Sequence, residues 1–261
     1  MRSDLFSIEG KVAVVSGGSR GIGFMIAEGL IDAGVRVYIS SRKVEACEEA
    51  AAKLSQKGEC ISIPADIGTP EGVAHLAAEF SRREERLHIL VNNAGATWGA
   101  AFGEFPEAGF DKVMDINVKG VFMLTQALLA KLRAAASAED PARVINIGSV
   151  DGLRVPAPGM NNYAYSPSKA AVHMMTRHLA ADLGPEHISV NAIAPGPFDS
   201  PMMAFVLDDP EKRAEIAGSI PLRRVGRPDD MAGATVFLCS RAGAFLNGAL
   251  IPVDGGITAR G

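Results

Sequence analysis

The chain has 261 residues, of which 48% are hydrophobic and 21% are charged, and its formal net charge is -4. This much apolar material can form a large core, so the composition excludes an intrinsically disordered protein. Acidic residues slightly outnumber basic ones and no basic stripe stands out, which argues against a nucleic-acid partner.

Short apolar runs alternate with longer helical patterns along the whole chain. The runs predict strands at residues 11–16, 36–40, 60–64, 89–92, 143–148, 188–194 and 249–253. The patterns between them predict helices at 22–33, about 43–56, 70–83, about 110–136, from beyond the fifth strand to about 183, and 228–239. Strands that alternate with long helices are typical of right-handed parallel crossovers.

This alternation predicts an α/β protein with a doubly wound Rossmann fold, in which helices cover both faces of about seven parallel strands. No linker or repeat divides the chain, so we expect residues 1–261 to form a single domain. Within it, segment 196–225 is expected to be irregular and is interpreted as a substrate lid. Ordinary packing is the alternative for its apolar side chains, which are those of Met202, Met203, Phe205 and Val206.

A glycine-rich turn follows the first strand and precedes the first helix. Its glycines allow the backbone to approach a pyrophosphate, and the helix offers its N-terminal N–H groups. The spacing is G-x-x-x-G-x-G and lacks the Gly-Lys-Ser/Thr end of a P-loop. A ligand-free turn is the alternative to a dinucleotide site. The candidate binding residues are Ser16, Gly17, Ser19, Arg20, Gly21, Ile22 and Gly23.

The end of the second strand indicates which dinucleotide is preferred. A site for NAD places an acidic residue there, to accept a hydrogen bond from the ribose 2′-hydroxyl. This chain instead has Ser41 and Arg42, and Arg20 lies in the glycine loop. Two guanidinium groups suit a 2′-phosphate, so the sequence predicts NADP(H) rather than NAD(H). The alternative is a pair of solvated surface arginines.

A tyrosine and a lysine four residues apart begin a later helical pattern. Tyr165 and Lys169 can share a helix face, and Pro167 fits only the first turn. Free tyrosine has a pKa of about 10, and a neighbouring ammonium is expected to lower it towards a useful acid–base range. Ser149 follows the fifth strand, and Asn117 interrupts a helical pattern without a local reason.

Together these residues resemble the short-chain dehydrogenase/reductase family, and the resemblance covers essentially the whole chain. It implies that Tyr165 is the general acid or base and that Ser149 hydrogen-bonds the substrate carbonyl. Lys169 would hold the nicotinamide ribose and tune Tyr165, and Asn117 would hold a water in a proton relay. The motifs are the glycine loop, Asp66 and Ile67, Asn92 to Gly95, Asn117, Ser149, Tyr165, Lys169, Pro195 and Gly196.

The resemblance also implies further cofactor contacts. They are Ser41, Arg42, Asp66, Ile67, Asn93, Ala94, Gly95, Tyr165, Lys169, Pro195, Gly196, Phe198 and Ser200. Serines replace the usual threonines at positions 16 and 200, and His88 stands where an aspartate is usual. The separation of Ser149 from Tyr165 is longer than is typical, which leaves the shape of the pocket rim open. Trp98 and Phe102 are either ordinary loop packing or a pocket wall.

The function implied is that of an NADPH-dependent carbonyl reductase, which transfers hydride to a ketone and yields a secondary alcohol. Within the family the chain looks most like 3-oxoacyl-thioester (acyl-carrier-protein) reductases, so the expected partner is a small ketone or an acyl thioester. The alternatives are a sugar, polyol or cyclic-alcohol dehydrogenase and a dinucleotide sensor without catalysis. A homotetramer is also implied.

Other features point away from competing classes. No apolar run approaches the roughly 20 residues of a membrane span, and the start lacks a signal-peptide core, so a cytoplasmic protein is expected. The three scattered cysteines fit neither a disulfide framework nor a zinc site, and the five histidines lack metal-ligand spacing. No G-x-S-x-G elbow surrounds Ser149, so it is not predicted to be a hydrolase nucleophile.

Overall fold

The structure, a computed structural model, describes residues 4–156, 159–200 and 203–259. They form one seven-stranded sheet in the order β3-β2-β1-β4-β5-β6-β7, and every neighbouring pair is parallel. This confirms the predicted sheet. The third strand ends two residues early, before Pro64, which has no N–H to donate. The strands are β1 Val12–Ser16, β2 Arg36–Ser40, β3 Cys60–Ser62, β4 Ile89–Asn92, β5 Ala142–Ile147, β6 Ile188–Pro195 and β7 Leu250–Val253.

Helices cover both faces of the sheet. They are α1 Gly21–Asp32, α2 Val44–Leu54, α3 Pro70–Arg83, α4 Glu107–Met114, α5 Gly120–Ala135, α6 Tyr165–Leu183, α7 Ala204–Leu207, α8 Pro210–Ser219 and α9 Pro228–Cys239. Successive residues of β1 belong to different apolar cores, Ala13 with α1, α2 and α9, and Val14 with α3, α5 and α6. This follows from the alternation of side chains along a strand, and it confirms the doubly wound arrangement.

The helix predicted at about 110–136 begins earlier and is divided. A π-helical turn, Asp115–Lys119, separates α4 from α5 and contains the buried Asn117. Such turns insert an extra residue into the helical register and are frequent at functional sites. Asn117, for which the sequence offered no local reason, is therefore the residue that this turn buries in the protein interior.

The stretch Glu107–Ala135 is long and apolar enough, by length and mean hydropathy, to cross a membrane. Its apolar face is nevertheless part of the core, because Leu124, Leu128 and Leu132 are fully buried against the sheet. These residues recur every four positions, as expected for the inward face of a core helix. We therefore interpret the stretch as a core element.

The segment expected to be irregular contains two helices, α7 and α8. Asp209 caps α8 by accepting hydrogen bonds from the backbone N–H groups of Glu211 (3.0 Å) and Lys212 (3.4 Å), and Pro210 occupies the first position. This Asp-Pro pair is a recognisable helix start, so the expectation of irregular structure was wrong here. Residues 201–202, including Met202, lie outside the described residues. A small apolar cluster connects the helices of this segment. It consists of the buried Leu207, Ile220 and Val225, with Met203 and Ile216 packed against them.

Candidate active site

The candidate catalytic side chains converge where β5 ends and α6 begins. Tyr165 is the first residue of α6, and Lys169 lies one turn later with its Nζ 5.7 Å from the centroid of the Tyr165 ring. Lys169 is buried, and its Nζ donates a 2.8 Å hydrogen bond to the carbonyl of Ile147, the last residue of β5. The structure thus brings the predicted Tyr–Lys pair together and anchors it to the sheet.

Burial dominates the acid–base properties of this pair. It lowers the pKa of Lys169 from 10.5 to about 8. It raises the pKa of Tyr165 from 10.0 to about 12; the side chain of Ser149 opposes this shift and the charge of Asp151 adds to it. The expectation that Lys169 lowers the pKa of Tyr165 is therefore wrong for the protein alone. At neutral pH Tyr165 is protonated, which is the form that can donate a proton.

Ser149 is buried at the end of β5, close to this pair. Its Oγ accepts a 3.1 Å hydrogen bond from the backbone N–H of Asp151 and caps the short 3₁₀ turn Val150–Gly152. A hydroxyl has one donor and two acceptor positions, so Ser149 can still donate to a substrate oxygen. This geometry suits a group that polarises a carbonyl.

Asn117 ties three parts of the site together. Its Oδ1 accepts from the backbone N–H of Ala96 (2.8 Å), and its Nδ2 donates to the carbonyl of Ala96 (3.0 Å) and to Oγ of Ser168 (2.9 Å). Ser168 in turn donates to the carbonyl of Tyr165 at 2.6 Å. Sequence reasoning missed Ser168, whose only signal was its place between Tyr165 and Lys169. Both amide hydrogens of Asn117 are used by the protein, so its side chain acts as a brace.

The glycine loop is fastened to the loop after β4. Oγ of Ser16 accepts from the backbone N–H groups of Asn93 (3.0 Å) and Ala94 (3.2 Å). The side chain of Asn93 donates to the carbonyls of Ser16 (3.0 Å) and Gly17 (3.1 Å). A Cβ at Gly23 would lie 2.3 Å from both Nδ2 of Asn93 and the carbonyl oxygen of Gly17. Only glycine fits there, so the N-terminus of α1 closes tightly on the loop.

These features fit a dinucleotide. Gly17 and Gly21 have positive φ values of 68° and 55°, which glycine adopts without steric cost. The loop leads directly into the N-terminus of α1, where backbone N–H groups can bind a phosphate. Arg20 and Arg42 are exposed at the carboxyl ends of β1 and β2, and Nη1 of Arg42 lies 3.9 Å from Oδ2 of Asp66. Exposed guanidinium groups at this corner can meet a phosphate.

Two predicted cofactor contacts are placed in the core. Phe198 is 2% exposed, and its ring fills the space beside Gly226, where a Cβ would lie 2.4 Å away. Ile67 is also buried in the core. Both residues can therefore offer a ligand only backbone atoms.

An aromatic cluster borders the site next to Tyr165. Tyr163 makes edge-to-face contacts with Phe102, with ring centroids 5.3 Å apart, and with Phe105 at 6.1 Å. Phe102 is 79% exposed, an unusual state for a large apolar side chain. Further exposed apolar residues follow Ser149 along the chain, namely Leu153, Val155 and Met160. We call these six residues the apolar rim. The ring of Trp98, from the same loop as Phe102, packs against Gly109.

Comparison with known proteins agrees with this fold and site. A family model described as enoyl-(acyl carrier protein) reductase matches residues 17–258. A rhamnolipids biosynthesis 3-oxoacyl-(acyl-carrier-protein) reductase of Pseudomonas aeruginosa is 51% identical over 251 residues, which cover 96% of this chain and 97% of the relative. The 5-keto-D-gluconate 5-reductase of Escherichia coli K12 is 34% identical over 259 residues and covers 98% of both chains.

Among solved structures, the RhlG/NADP active-site complex of Pseudomonas aeruginosa matches with a TM-score of 0.94 and 50% identity, covering 97% of this chain and 98% of that one. These matches span nearly the whole chain, so it belongs to the short-chain dehydrogenase/reductase family. It is an oxidoreductase of that family, which confirms the class predicted from the residues.

Replacing Lys169 with methionine should change how stability depends on pH. Because the pKa of Lys169 is about 8 in the folded protein and near 10.5 when unfolded, the folded protein binds fewer protons between these values. Relative to Lys169→Met, the free energy of unfolding of the wild type should therefore rise with pH across this window, by at most about 1.4 kcal/mol per pH unit. The buried thiols of Cys60 and Cys239, whose pKa is raised to about 12, oppose this rise equally in both proteins. Urea unfolding at pH 7, 8, 9 and 10 measures this slope.

In Lys169→Met this rise should be absent. The exposed Lys43→Met provides the matched control, and it should follow the wild type at every pH. Parallel curves for Lys169→Met and the wild type would contradict a strongly lowered pKa.

Proposed function

We propose that this protein reduces the ketone of a 3-oxoacyl thioester, using NADP(H). The catalytic side chains support a carbonyl reductase, and the relatives include both a 3-oxoacyl reductase and keto-sugar-acid reductases. The apolar rim is the observation that carries the choice between them. Phe102 and Tyr163 present exposed apolar surface, and Tyr163 precedes Tyr165 by two residues; such a surface suits an acyl chain better than a polyhydroxylated sugar acid.

Bound NADPH supplies the hydride that reduces the carbonyl carbon. Tyr165 donates its phenolic proton to the carbonyl oxygen, and Ser149 donates a hydrogen bond to the same oxygen. Lys169 has a pKa near neutrality, so its buried ammonium can help to restore the proton on Tyr165. Since the side chain of Asn117 is already used, we assign any relay water to its backbone carbonyl.

The same proposal covers the remaining cofactor contacts and the lid. We propose that NADP(H) is held by residues at or after the carboxyl ends of β1, β3, β4 and β6, with Ile67 and Phe198 contributing backbone atoms. These residues are the glycine loop, Asp66, the turn Asn93 to Gly95, Pro195, Gly196 and Ser200. Segment 196–225 has its own small apolar cluster and an ion pair between Arg213 and Asp199. Phe198 anchors the start of the segment in a main core, whereas the separate cluster formed by its later residues supports their proposed role as a lid over the acyl chain.

The experiment that tests this function is a substrate panel followed by NADPH absorbance. Turnover should be greatest with 3-oxoacyl thioesters and should improve as the acyl chain lengthens, because the rim gains contact with it. Tyr165→Phe should lower kcat by about 10²–10⁴-fold while NADPH still binds, since only the proton donor is lost.

Tyr38→Phe makes the same chemical change in the core and should retain turnover; its hydroxyl hydrogen-bonds Glu84, far from the site. Preference for keto-sugar acids over thioesters would overturn the substrate class. Turnover that survives in Tyr165→Phe but is lost in Tyr163→Phe would show that the wrong tyrosine had been assigned.

Arg42 offers a test of cofactor preference. The wild type should prefer NADPH to NADH, and Arg42→Asp should reverse the order. An aspartate repels the 2′-phosphate and can accept from a free 2′-hydroxyl. The kcat/KM ratios for the two cofactors measure this. Arg241→Asp changes the net charge equally on the loop before β7 and should leave the preference unaltered. Equal use of both cofactors by the wild type would refute the prediction.

We propose further that the protein is a cytoplasmic homotetramer. Exposed apolar side chains on consecutive helices support the assembly, namely Phe110 on α4, Phe122 on α5 and Met174 on α6, which is 62% exposed. Packing α5 and α6 against a second copy would cover them. Light scattering over micromolar concentrations should give the mass of four chains; a constant monomer mass would exclude the assembly.

A further inference from the structure

One buried histidine beside the catalytic residues has had no role so far. His173 lies on α6 one turn after Lys169 and is 4% exposed. Its ring is packed against the loop that carries Ser149. A buried titratable side chain at this position calls for an explanation, because burying polar atoms is unfavourable unless they are hydrogen-bonded.

The ring touches this loop on both sides of Ser149. A Cβ built on Gly148 would lie 2.1 Å from Nε2 and 2.7 Å from Cδ2 of His173. A Cβ built on Gly152 would lie 2.8 Å from Cε1 of the same ring. Neither glycine is in the left-handed region, so the space taken by the ring excludes a side chain at Gly148.

The ring acts on this loop through its shape and through an interaction with the backbone of Gly152. Within the described parts of the chain, neither Nδ1 nor Nε2 of His173 has a partner in normal hydrogen-bond geometry. Burial lowers the pKa of His173, the interaction with the backbone of Gly152 opposes this shift, and the nearby charges of Lys169 and Arg177 lower the pKa further. The ring is therefore a neutral, flat body between α6 and the Ser149 loop.

We propose that His173 is a positioning residue, whose imidazole ring supports the backbone from Gly148 to Gly152 and so holds the Ser149 hydroxyl opposite Tyr165. The inference rests on the proposed carbonyl reduction, because Ser149 matters there through its contact with the substrate oxygen. A displacement of about 1 Å at such a group can lower turnover about 10²-fold. The fit between Gly148 and the ring makes the proposal testable by paired substitutions.

The experiment compares the wild type with Gly148→Ala, His173→Ala and the double variant. Gly148→Ala forces a methyl group into the ring and should lower kcat at least about tenfold. Removing the ring as well makes room for the methyl group, so the double variant should recover several-fold over Gly148→Ala. His173→Ala alone should lower kcat while NADPH affinity, measured by fluorescence, changes less than about twofold.

Gly152→Ala provides the matched comparison. A Cβ there would also lie 2.8 Å from the carbonyl carbon of Lys169 and 2.9 Å from the backbone nitrogen of Ala170, which remain when the ring is removed. His173→Ala should therefore fail to rescue Gly152→Ala. Gly233→Ala on α9, where a Cβ meets nothing within 4 Å, should behave as wild type.

Two readouts separate the possible failures. If the wild type reduced none of the ketones, the proposed function would fail, while the same four proteins compared by thermal unfolding would still test the fit between the ring and Gly148. If the wild type is active, an unimpaired His173→Ala overturns the inference. A double variant no better than Gly148→Ala, in both kcat and Tm, also overturns it. An equal loss of NADPH affinity and kcat in His173→Ala would assign the ring to the cofactor site instead.

Discussion

The arrangement of the candidate catalytic groups depends on the hydrogen bond from the ammonium of Lys169 to the carbonyl of Ile147. This bond joins the last residue of β5 to the second turn of α6, at a distance of 2.8 Å and away from water. Ser149 lies just beyond one end of this bond and Tyr165 one turn from the other. A charge in such a place is unfavourable, as the low pKa of Lys169 shows. Burying Lys169 therefore lowers the stability of the folded protein at the place where the proposed reaction needs a group that can exchange a proton.

A chain of buried hydrogen bonds beneath the site stabilises the fold against the unfavourable burial of Lys169. Asn92 at the end of β4 donates to Asn146 in β5 and to Thr125 on α5, and Asn146 donates to Thr176 on α6, each at 2.9 Å. This buried chain of hydrogen bonds fixes both helices to the sheet beneath the catalytic groups. Because most of its polar atoms are paired, it rigidifies the core instead of weakening it. The helix that carries Tyr165 and Lys169 is thus held independently of any ligand.

Sequence patterns predicted the elements that obey a simple period and missed those that tertiary contacts create. The seven strands and the ends of α3 and α9 follow from apolar runs and from proline, so they could be located. The division between α4 and α5 could not be located, because the π-helical turn accompanies hydrogen bonds from Asn117 to Ala96 and Ser168, which are distant in the sequence. The Tyr–Lys spacing predicted that Tyr165 and Lys169 share one face of α6, as the structure has them, yet the expected direction of the tyrosine pKa was wrong. That direction depends on burial, which no spacing of residues encodes.

The location of the loops explains how one family can accommodate different substrates. The catalytic side chains stand on the sheet edge and on α6, whereas the apolar rim comes from the loop after β4 and from the long segment between Ser149 and Tyr165. These loops meet through the hydrogen bond from the backbone N–H of Ala100 to the carbonyl of Asn161 (3.1 Å) and through the Phe102–Tyr163 contact. The backbone N–H of Tyr165 donates to the carbonyl of Asn162 (2.9 Å), so the second of these loops is also joined to the start of α6. In the proposed function, the side chains that would select the substrate therefore lie on loops, whereas the proposed proton donor and Lys169 lie on α6.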